Sequence, residues 1–315
     1  MKTCFLFPGQ GAQYPGMGRD LWESSPKVKD LFGLASKVTG MDLERLLFQG
    51  SEEELKSTDN TQVAVTLVNV AASLVLQDRG VEPEGLAGFS LGEYTALYEA
   101  GIISLEDLFP IVRKRGQLME QAARGLDSSA GPAGMAAVIG LSSAEAKEVL
   151  RTLGEGREPP TVFLANLSSP VQVVLSGTAE GLEAAEKAFK EAGAKRFIRL
   201  KVSAPFHSPL LEEARLGLGE FLEKIPFSEP QKPVYANVTG KRIASAAEAR
   251  QLCLRQVVST VLWMEEEASL LADGFKRAVE AGPGTVLTGL WKACCKEVPC
   301  LSAGKLAEID TLVSS

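Results

Sequence analysis

GLAGFSLGEYTAL, residues 85–97, passes from a short apolar run into a helical pattern through a bend that holds one serine between two glycines. Gly85 to Phe89 reads as a buried strand and Leu91 to Ala100 as a helix. Gly88 and Gly92 lie two residues before and two after Ser90. Without Cβ atoms they permit a strained turn and a close approach of strand to helix. Strand, tight turn and helix around a serine is the setting of a nucleophile elbow. It puts Ser90 at a helix N-terminus, where unpaired backbone N–H groups favour developing negative charge. A serine hydroxyl stays protonated at neutral pH and attacks only when a neighbouring base relieves it, most often histidine. The chain has a single histidine, His207. Covalent chemistry at Ser90 by the ordinary route therefore requires His207 to reach it.

Outward from this stretch the pattern stays α/β. Thr3 to Phe7 is an apolar strand stopped by Pro8-Gly9. Thr61 to Arg79 carries Val63, Leu67, Val70, Ala71, Leu74 and Val75 near the helical period, and Leu105 to Arg124 reads as a long helix. From Gly134 the rhythm changes. Met135–Leu141, Thr161–Leu167, Gln172–Ser176 and Lys195–Leu200 read as strands, with helices at Ser143–Leu153 and Ala179–Ala192. The order β-α-β-β-α-β is the ferredoxin-like pattern. GLDSSAGPAG, residues 125–134, is its natural linker. Further on, helices are expected near 210–224, 245–257 and 285–295, with strands at Val234–Val238 and Arg277–Glu280. The expected organisation is a discontinuous large α/β domain, residues 1–130 and 202–315, with an inserted subdomain at 131–201.

Composition sets limits. The chain has 315 residues, is 45% hydrophobic and 23% charged, and carries a net charge of −7 with a pI near 5.1. That balance argues against a nucleic-acid binder, which shows a broad basic surplus. The five cysteines, three of them crowded into CCKEVPC at 294–300, suit reduced thiols in a cytoplasmic protein. They lack paired C-x-x-C spacing, and one histidine cannot build a multi-histidine metal site. The N-terminal apolar run is too short for a signal peptide, and no run is expected to span a bilayer. FPGQGAQYPGMG, residues 7–18, fails the dinucleotide-loop spacing because Tyr14 stands at the third glycine position.

Several segments in fixed order resemble the malonyl-CoA:acyl-carrier-protein transacylases, within the wider acyltransferase family of fatty-acid and polyketide synthesis. They are FPGQGAQ (7–13), TQ (61–62), GFSLGEYTAL (88–97), Arg115 to Met119, SSPVQVVLSG (168–177), GAKR (193–196), VSAPFHS (202–208), RQ (255–256) and GPGTVLTGL (282–290). The resemblance covers nearly the whole chain and implies an α/β-hydrolase-like large domain with an inserted ferredoxin-like (βαββαβ) subdomain. It assigns the nucleophile to Ser90, the base to His207 and the oxyanion hole to the backbone N–H groups of Gln10 and Leu91. Arg115 matches the arginine that grips the malonyl carboxylate, Gln62 and Asn166 line the pocket, and the Gln256 carbonyl orients the histidine. The substrates implied are malonyl-CoA and the phosphopantetheine thiol of acyl carrier protein, with no metal or other cofactor. A cytoplasmic protein with no membrane partner is expected from the cysteines and short apolar runs, and a monomer because each family-like site is complete within one chain.

These assignments agree with elementary chemistry. A guanidinium offers two parallel donors to a carboxylate and fixes its orientation better than a lysine can. No aspartate stands where an ordinary Ser-Asp-His triad needs one: between Ser90 and His207 there are only Asp107 and Asp127, and neither ends an expected strand. A Ser-His dyad is expected. The competing activities are acyl transfer for a polyketide synthase or with another acyl-CoA, and a serine thioesterase or esterase. Residues 187–201 carry six basic side chains against Glu191 alone, and Lys190, Lys195 and Arg196 are the expected docking site for the acidic carrier. The sequence departs from the family at Phe89, usually histidine, at Ser168, usually asparagine, and at STVLW (259–263). Phe206, just before His207, should crowd an α-methyl branch on the acyl group.

Overall fold

The computed structural model describes residues 1–155, 160–202 and 204–314; Ser203 of the VSAPFHS segment lies outside them. β1 (Thr3–Phe7) leads into α1 (Arg19–Ser24), α2 (Pro26–Thr39), α3 (Leu43–Gln49), α4 (Glu52–Lys56) and the long α5 (Thr58–Asp78). β2 (Gly85–Gly88), α6 (Gly92–Glu99) and α7 (Leu105–Arg124) follow. The middle stretch runs β3 (Gly134–Ile139), α8 (Ser143–Gly154), β4 (Val162–Ser169), β5 (Gln172–Gly177), α9 (Ala179–Glu191) and β6 (Arg196–Arg199). After a 3-10 turn at Pro209–Leu211 come α10 (Glu212–Leu222), β7 (Tyr235–Ala236), β8 (Lys241–Arg242), α11 (Ala246–Val258) and α12 (Trp263–Ala272). β9 (Arg277–Glu280), α13 (Val286–Cys294), β10 (Cys300–Ser302) and α14 (Leu306–Val313) close the chain.

Two sheets carry the architecture. One is parallel, in the order β10-β9-β1-β2. Its strands are short apolar runs, and β1 and β2 are buried at every residue, as a sheet covered by helices on both faces demands. The other is antiparallel, in the order β4-β5-β3-β6, which is the ferredoxin-like arrangement expected from the β-α-β-β-α-β rhythm. The α/β-hydrolase-like sheet and the inserted ferredoxin-like sheet are thus both present. The antiparallel sheet is tied to the segment between α11 and α12, where Leu167 N–H on β4 donates to the Val261 carbonyl and Val261 N–H to the Ala165 carbonyl.

Local signals account for the helix boundaries. The Ser104 hydroxyl accepts from Asp107 N–H at the start of α7, and Ser142 with Glu145 forms a reciprocal capping box at α8. Two expectations change. The strand expected at Val234–Val238 is shortened to Tyr235–Ala236, which pairs in a hairpin with Lys241–Arg242, and Val234 makes a single bridge to Leu86. The chain is turned aside there because Asn237 is drawn into side-chain contacts described below. The expectation that no run could span a bilayer meets α5, a 21-residue helix long and apolar enough by length and composition. It is a core helix, with 83% of its apolar window buried inside the protein.

The bend after β2 is set by contact as well as by backbone freedom. A Cβ on Gly88 would overlap the Gly92 backbone, and a Cβ on Gly92 would overlap the Phe7 carbonyl at the end of β1. Gly9 lies so close to the Phe89 carbonyl that it too has no room for a side chain. The loop after β1 and the bend after β2 therefore interlock, and both end beside the same cavity.

Candidate active site

Ser90 sits at the bend with φ 53°, in the left-handed region that costs a non-glycine residue roughly 1 kcal/mol or more. Its Oγ lies 2.7 Å from His207 Nε2. The other ring nitrogen, Nδ1, is 2.8 Å from the Gln256 carbonyl oxygen. A carbonyl can only accept, so Nδ1 carries the proton and Nε2 presents a lone pair to the serine hydroxyl. His207 also has positive φ, 58°, and is 3% exposed. Its segment is fixed from the small sheet, where the Ser176 hydroxyl on β5 donates to the Phe206 carbonyl.

Burial, and after it the neighbouring Arg115 guanidinium, push His207 down to about 3, against the opposing hydrogen bond to Gln256. The free imidazole is thus neutral across the physiological range.

Arg115, on α7, is the third converging group. It is 2% exposed, and its Nη1 donates to Gln62 Oε1 at 2.9 Å. Nη2 donates to Gln256 Oε1 at 3.1 Å and reaches Ser90 Oγ at 3.4 Å. Tyr94 lies under the guanidinium, 5.4 Å from ring centroid to Cζ. Among the described residues no carboxylate forms an ion pair with Arg115. A buried cation held by neutral amide and hydroxyl oxygens and an aromatic ring is expensive to maintain and leaves room for an anion.

Ser90, His207, Arg115, Gln62, Gln10, Asn166 and Phe206 all line one cavity, with Phe89, Met119, Met135, Leu200 and Val202 forming the rest of its wall. Its free volume is about 90 Å³. That is far below the roughly 300–1,000 Å³ of sites for drug-sized ligands, so it suits a short acyl group. Asn166 Oδ1 is buried there without a hydrogen-bond partner. Phe206 is 7% exposed, at the wall beside His207. Gln10 comes from the loop after β1, and Leu91 is the residue that precedes α6. The N–H groups of Gly92, Glu93 and Tyr94 turn back onto Phe89, Ser90 and Leu91 carbonyls, leaving the Leu91 N–H outside that series.

Asn237, which nothing in its sequence surroundings marked, and Glu93, within the GFSLGEYTAL segment but given no role there, also take part. Asn237 Oδ1 accepts from Ser90 N–H at 2.7 Å, and Glu93 Oε2 accepts from Asn237 N–H at 2.6 Å. Only the glutamate three residues after the serine could have hinted at a second role in the motif. The three basic residues expected to dock a partner stand apart from the cavity. Lys195 and Arg196 are exposed at β6, whereas Lys190 is tied to Glu186 at 2.6 Å.

Residues 4–309 match the acyl transferase domain family. The chain belongs to that family. Among acyltransferases it is 38% identical over 314 residues to the malonyl CoA-acyl carrier protein transacylase of Bacillus subtilis, covering 100% of this chain and 97% of the relative. It is 39% identical over 315 residues to the enzyme of the same name from Escherichia coli K12, covering 100% and 98%. Among solved acyltransferase structures, a malonyl-transacylase in complex with a type II polyketide acyl-carrier protein superimposes with TM-score 0.93 at 37% identity, covering 100% of this chain and 99% of that one.

Proposed function

We propose that this acyltransferase moves the malonyl group of malonyl-CoA onto the phosphopantetheine thiol of an acyl carrier protein through a malonyl ester on Ser90. The observation that carries this is Arg115: a buried guanidinium with no carboxylate partner among the described residues, 3.4 Å from the hydroxyl that would be acylated. A malonyl thioester has a free carboxylate two carbons from its reacting carbonyl, so one end can meet Arg115 while the other meets Ser90. Unbranched neutral acyl groups would leave the cation unpaired, which disfavours them by desolvation.

In the first half-reaction Ser90 Oγ attacks the thioester carbonyl as its proton passes to His207 Nε2. The backbone N–H groups of Gln10 and Leu91 stabilise the tetrahedral oxyanion, a role worth about 3 kcal/mol for each preorganised donor. The C–S bond then breaks, and the proton on Nε2 goes to the departing CoA sulfur. In the second half-reaction the carrier's thiol gives its proton to Nε2 as its sulfur attacks the ester carbonyl; the bond from the acyl carbon to Ser90 Oγ then breaks, and the proton on Nε2 goes to the departing serine oxygen. The Gln256 carbonyl holds the ring tautomer throughout, so the pair works as a Ser-His dyad. Phe206 and Asn166 shape the acyl pocket, and Gln62 steadies Arg115. The apolar wall limits water, which separates transfer from hydrolysis.

The division into a catalytic domain (1–130 with 202–315) and a subdomain (131–201) suits this mechanism, since residues of both line the cavity: Ser90, Arg115 and His207 from one, Met135, Asn166 and Leu200 from the other. Lys195 and Arg196, followed by the exposed Arg199 and Lys201, make β6 and its flanks a basic strip of sequence that runs into Leu200 and Val202 of the cavity wall. That strip is the proposed approach for an acidic carrier, acting on a cytoplasmic monomer with no metal or bound cofactor.

The test is to incubate the protein with malonyl-CoA labelled in the acyl group, digest it and locate the label. Label on the peptide containing Ser90, lost in Ser90→Ala and discharged by holo acyl carrier protein, is the expected result. Label elsewhere, or an unchanged preference over acetyl-CoA in Arg115→Ala, would overturn the assignment.

A further inference from the structure

Beneath the bend lies a cluster of fully buried polar groups that do not face the cavity. Asn237 is 0% exposed, Glu266 0% and Glu93 1%. The Asn237 side chain bridges the two sides of the strained serine. Its Oδ1 accepts from Ser90 N–H at 2.7 Å, and its Nδ2 donates to the Gly88 carbonyl at 2.7 Å. That same Nδ2 also donates to Glu266 Oε1 at 2.7 Å, while Glu93 Oε2 accepts from the Asn237 backbone N–H at 2.6 Å. Gln256 adds a link from the other side, its Nε2 donating to the Ser90 carbonyl at 3.0 Å.

A residue with φ 53° on a sharp turn stays there only if its surroundings over-determine the geometry. At this bend the Ser90 N–H and the Gly88 carbonyl both find their partner in one amide. That amide cannot rotate, because Glu266 accepts from its NH₂ end and Ser90 N–H requires its oxygen end. The backbone of Asn237 is held in turn by Glu93. Breaking the strut would leave a buried N–H and a buried carbonyl without partners and release the strain stored at Ser90.

The geometry points to Asn237, gripped by Glu266 and Glu93, as the positioning residue that holds Ser90 Oγ on His207. It acts through the backbone of Ser90 and touches no reacting atom. The inference rests on Ser90 being the acylated residue, and its test is chosen to separate the two.

The full-length protein is treated with a small fluorophosphonate, which reports Ser90 reactivity without any need for a malonyl group. Binding of malonyl-CoA with the thioester sulfur replaced by methylene reports the acyl pocket separately. In Asn237→Ala the labelling rate at Ser90 should fall about 100-fold, the cost of a misplaced reacting atom, with the analogue's affinity within about threefold of the parent. Labelling within threefold of the parent would overturn the inference, as would parallel loss of labelling and binding in a folded variant. If Asn237→Ala does not fold, Glu266→Met and Glu266→Gln decide. Methionine removes the acceptor for the Asn237 amide and should slow labelling about tenfold, whereas glutamine keeps an acceptor and should recover most of it. Unchanged labelling in Glu266→Met, equal loss in both, or failure of Glu266→Met to fold would count against a positioning role. A parent protein that is not labelled at Ser90 would instead sink the proposed function.

Discussion

Ser90 and His207 are the only non-glycine residues with positive φ among those described, 53° and 58°, and they are the pair whose side chains meet at 2.7 Å. Strain is concentrated on the two residues of the proton relay. For Ser90 this separates stability from activity. Ser90→Ala and Ser90→Gly both remove the hydroxyl, but only alanine keeps a Cβ in the left-handed region. Ser90→Gly should therefore be more stable than Ser90→Ala by about 1 kcal/mol in urea unfolding, with both inactive.

The pH profile follows from the two causes that depress His207. Burial and the Arg115 charge hold it at about 3, so the acid limb of Ser90 labelling by a fluorophosphonate should lie well below the ordinary histidine range. Arg115→Met removes the cation and should move that limb upward. A bound malonyl carboxylate neutralises the same charge, so the limb in kcat should lie above the limb in kcat/KM. A limb near 6.5 in the free protein would contradict this account. Stability has the same sign. Between about 3 and 6.5 the unfolded chain binds a proton at His207 that the folded one refuses, so this contribution is present above 6.5 and is lost as pH falls through that window. Comparing acid unfolding of the parent with His207→Gln isolates it from Glu93, which burial raises to about 7 and which acts in the opposite direction.

Arg115 should discriminate by geometry as well as charge. Arg115→Ala should lose ~3 kcal/mol of malonyl transfer, about 100-fold in kcat/KM, while acetyl transfer changes little. Arg115→Lys should fall nearer to the alanine variant than to the parent, because a point charge cannot serve Gln62, Gln256 and a carboxylate through one planar fork. Steady-state rates with malonyl-CoA and acetyl-CoA measure both.

Much of this was legible in the residues themselves. GFSLGEY was readable as strand, bend and helix from its apolar run and flanking glycines, and the single histidine made His207 the base to look for. A glycine-flanked serine is common, however, and only the fold brings the two side chains together. The βαββαβ segment was readable because its strands alternate with amphipathic helices at short spacing. Val234–Val238 looked like a strand for its β-branched residues, yet Asn237 must break the pairing to reach Ser90, Gly88 and Glu266. That reach is a tertiary fact with no local signal. Nor could composition reveal that Lys190 is engaged by Glu186 while Lys195 stays exposed.

Gly9 offers a test of the loop after β1. A Cβ there would overlap the Phe89 carbonyl, so Gly9→Ala must push the Gln10 backbone away from the bend. Asn69 anchors the preceding residue, its Nδ2 donating to the Pro8 carbonyl at 2.9 Å, so the displacement should stay local. Loss of one oxyanion donor predicts a fall in kcat of about 100-fold with KM for malonyl-CoA nearly unchanged. A rise in KM alone would place Gln10 in substrate binding instead.

The basic strip at β6 should matter for one half-reaction only. Lys195→Glu combined with Arg196→Glu reverses two exposed charges without touching the cavity wall. Malonylation of Ser90 by malonyl-CoA should proceed at the parent rate. Transfer to the carrier should show a KM raised about tenfold at low salt, and the difference should shrink as ionic strength screens the encounter. Lys190→Glu, starting from a lysine already paired with Glu186, should have the smaller effect. An unchanged KM for the carrier in the double variant would move the docking surface elsewhere, whereas slower malonylation would mean that the strip steers the phosphates of CoA.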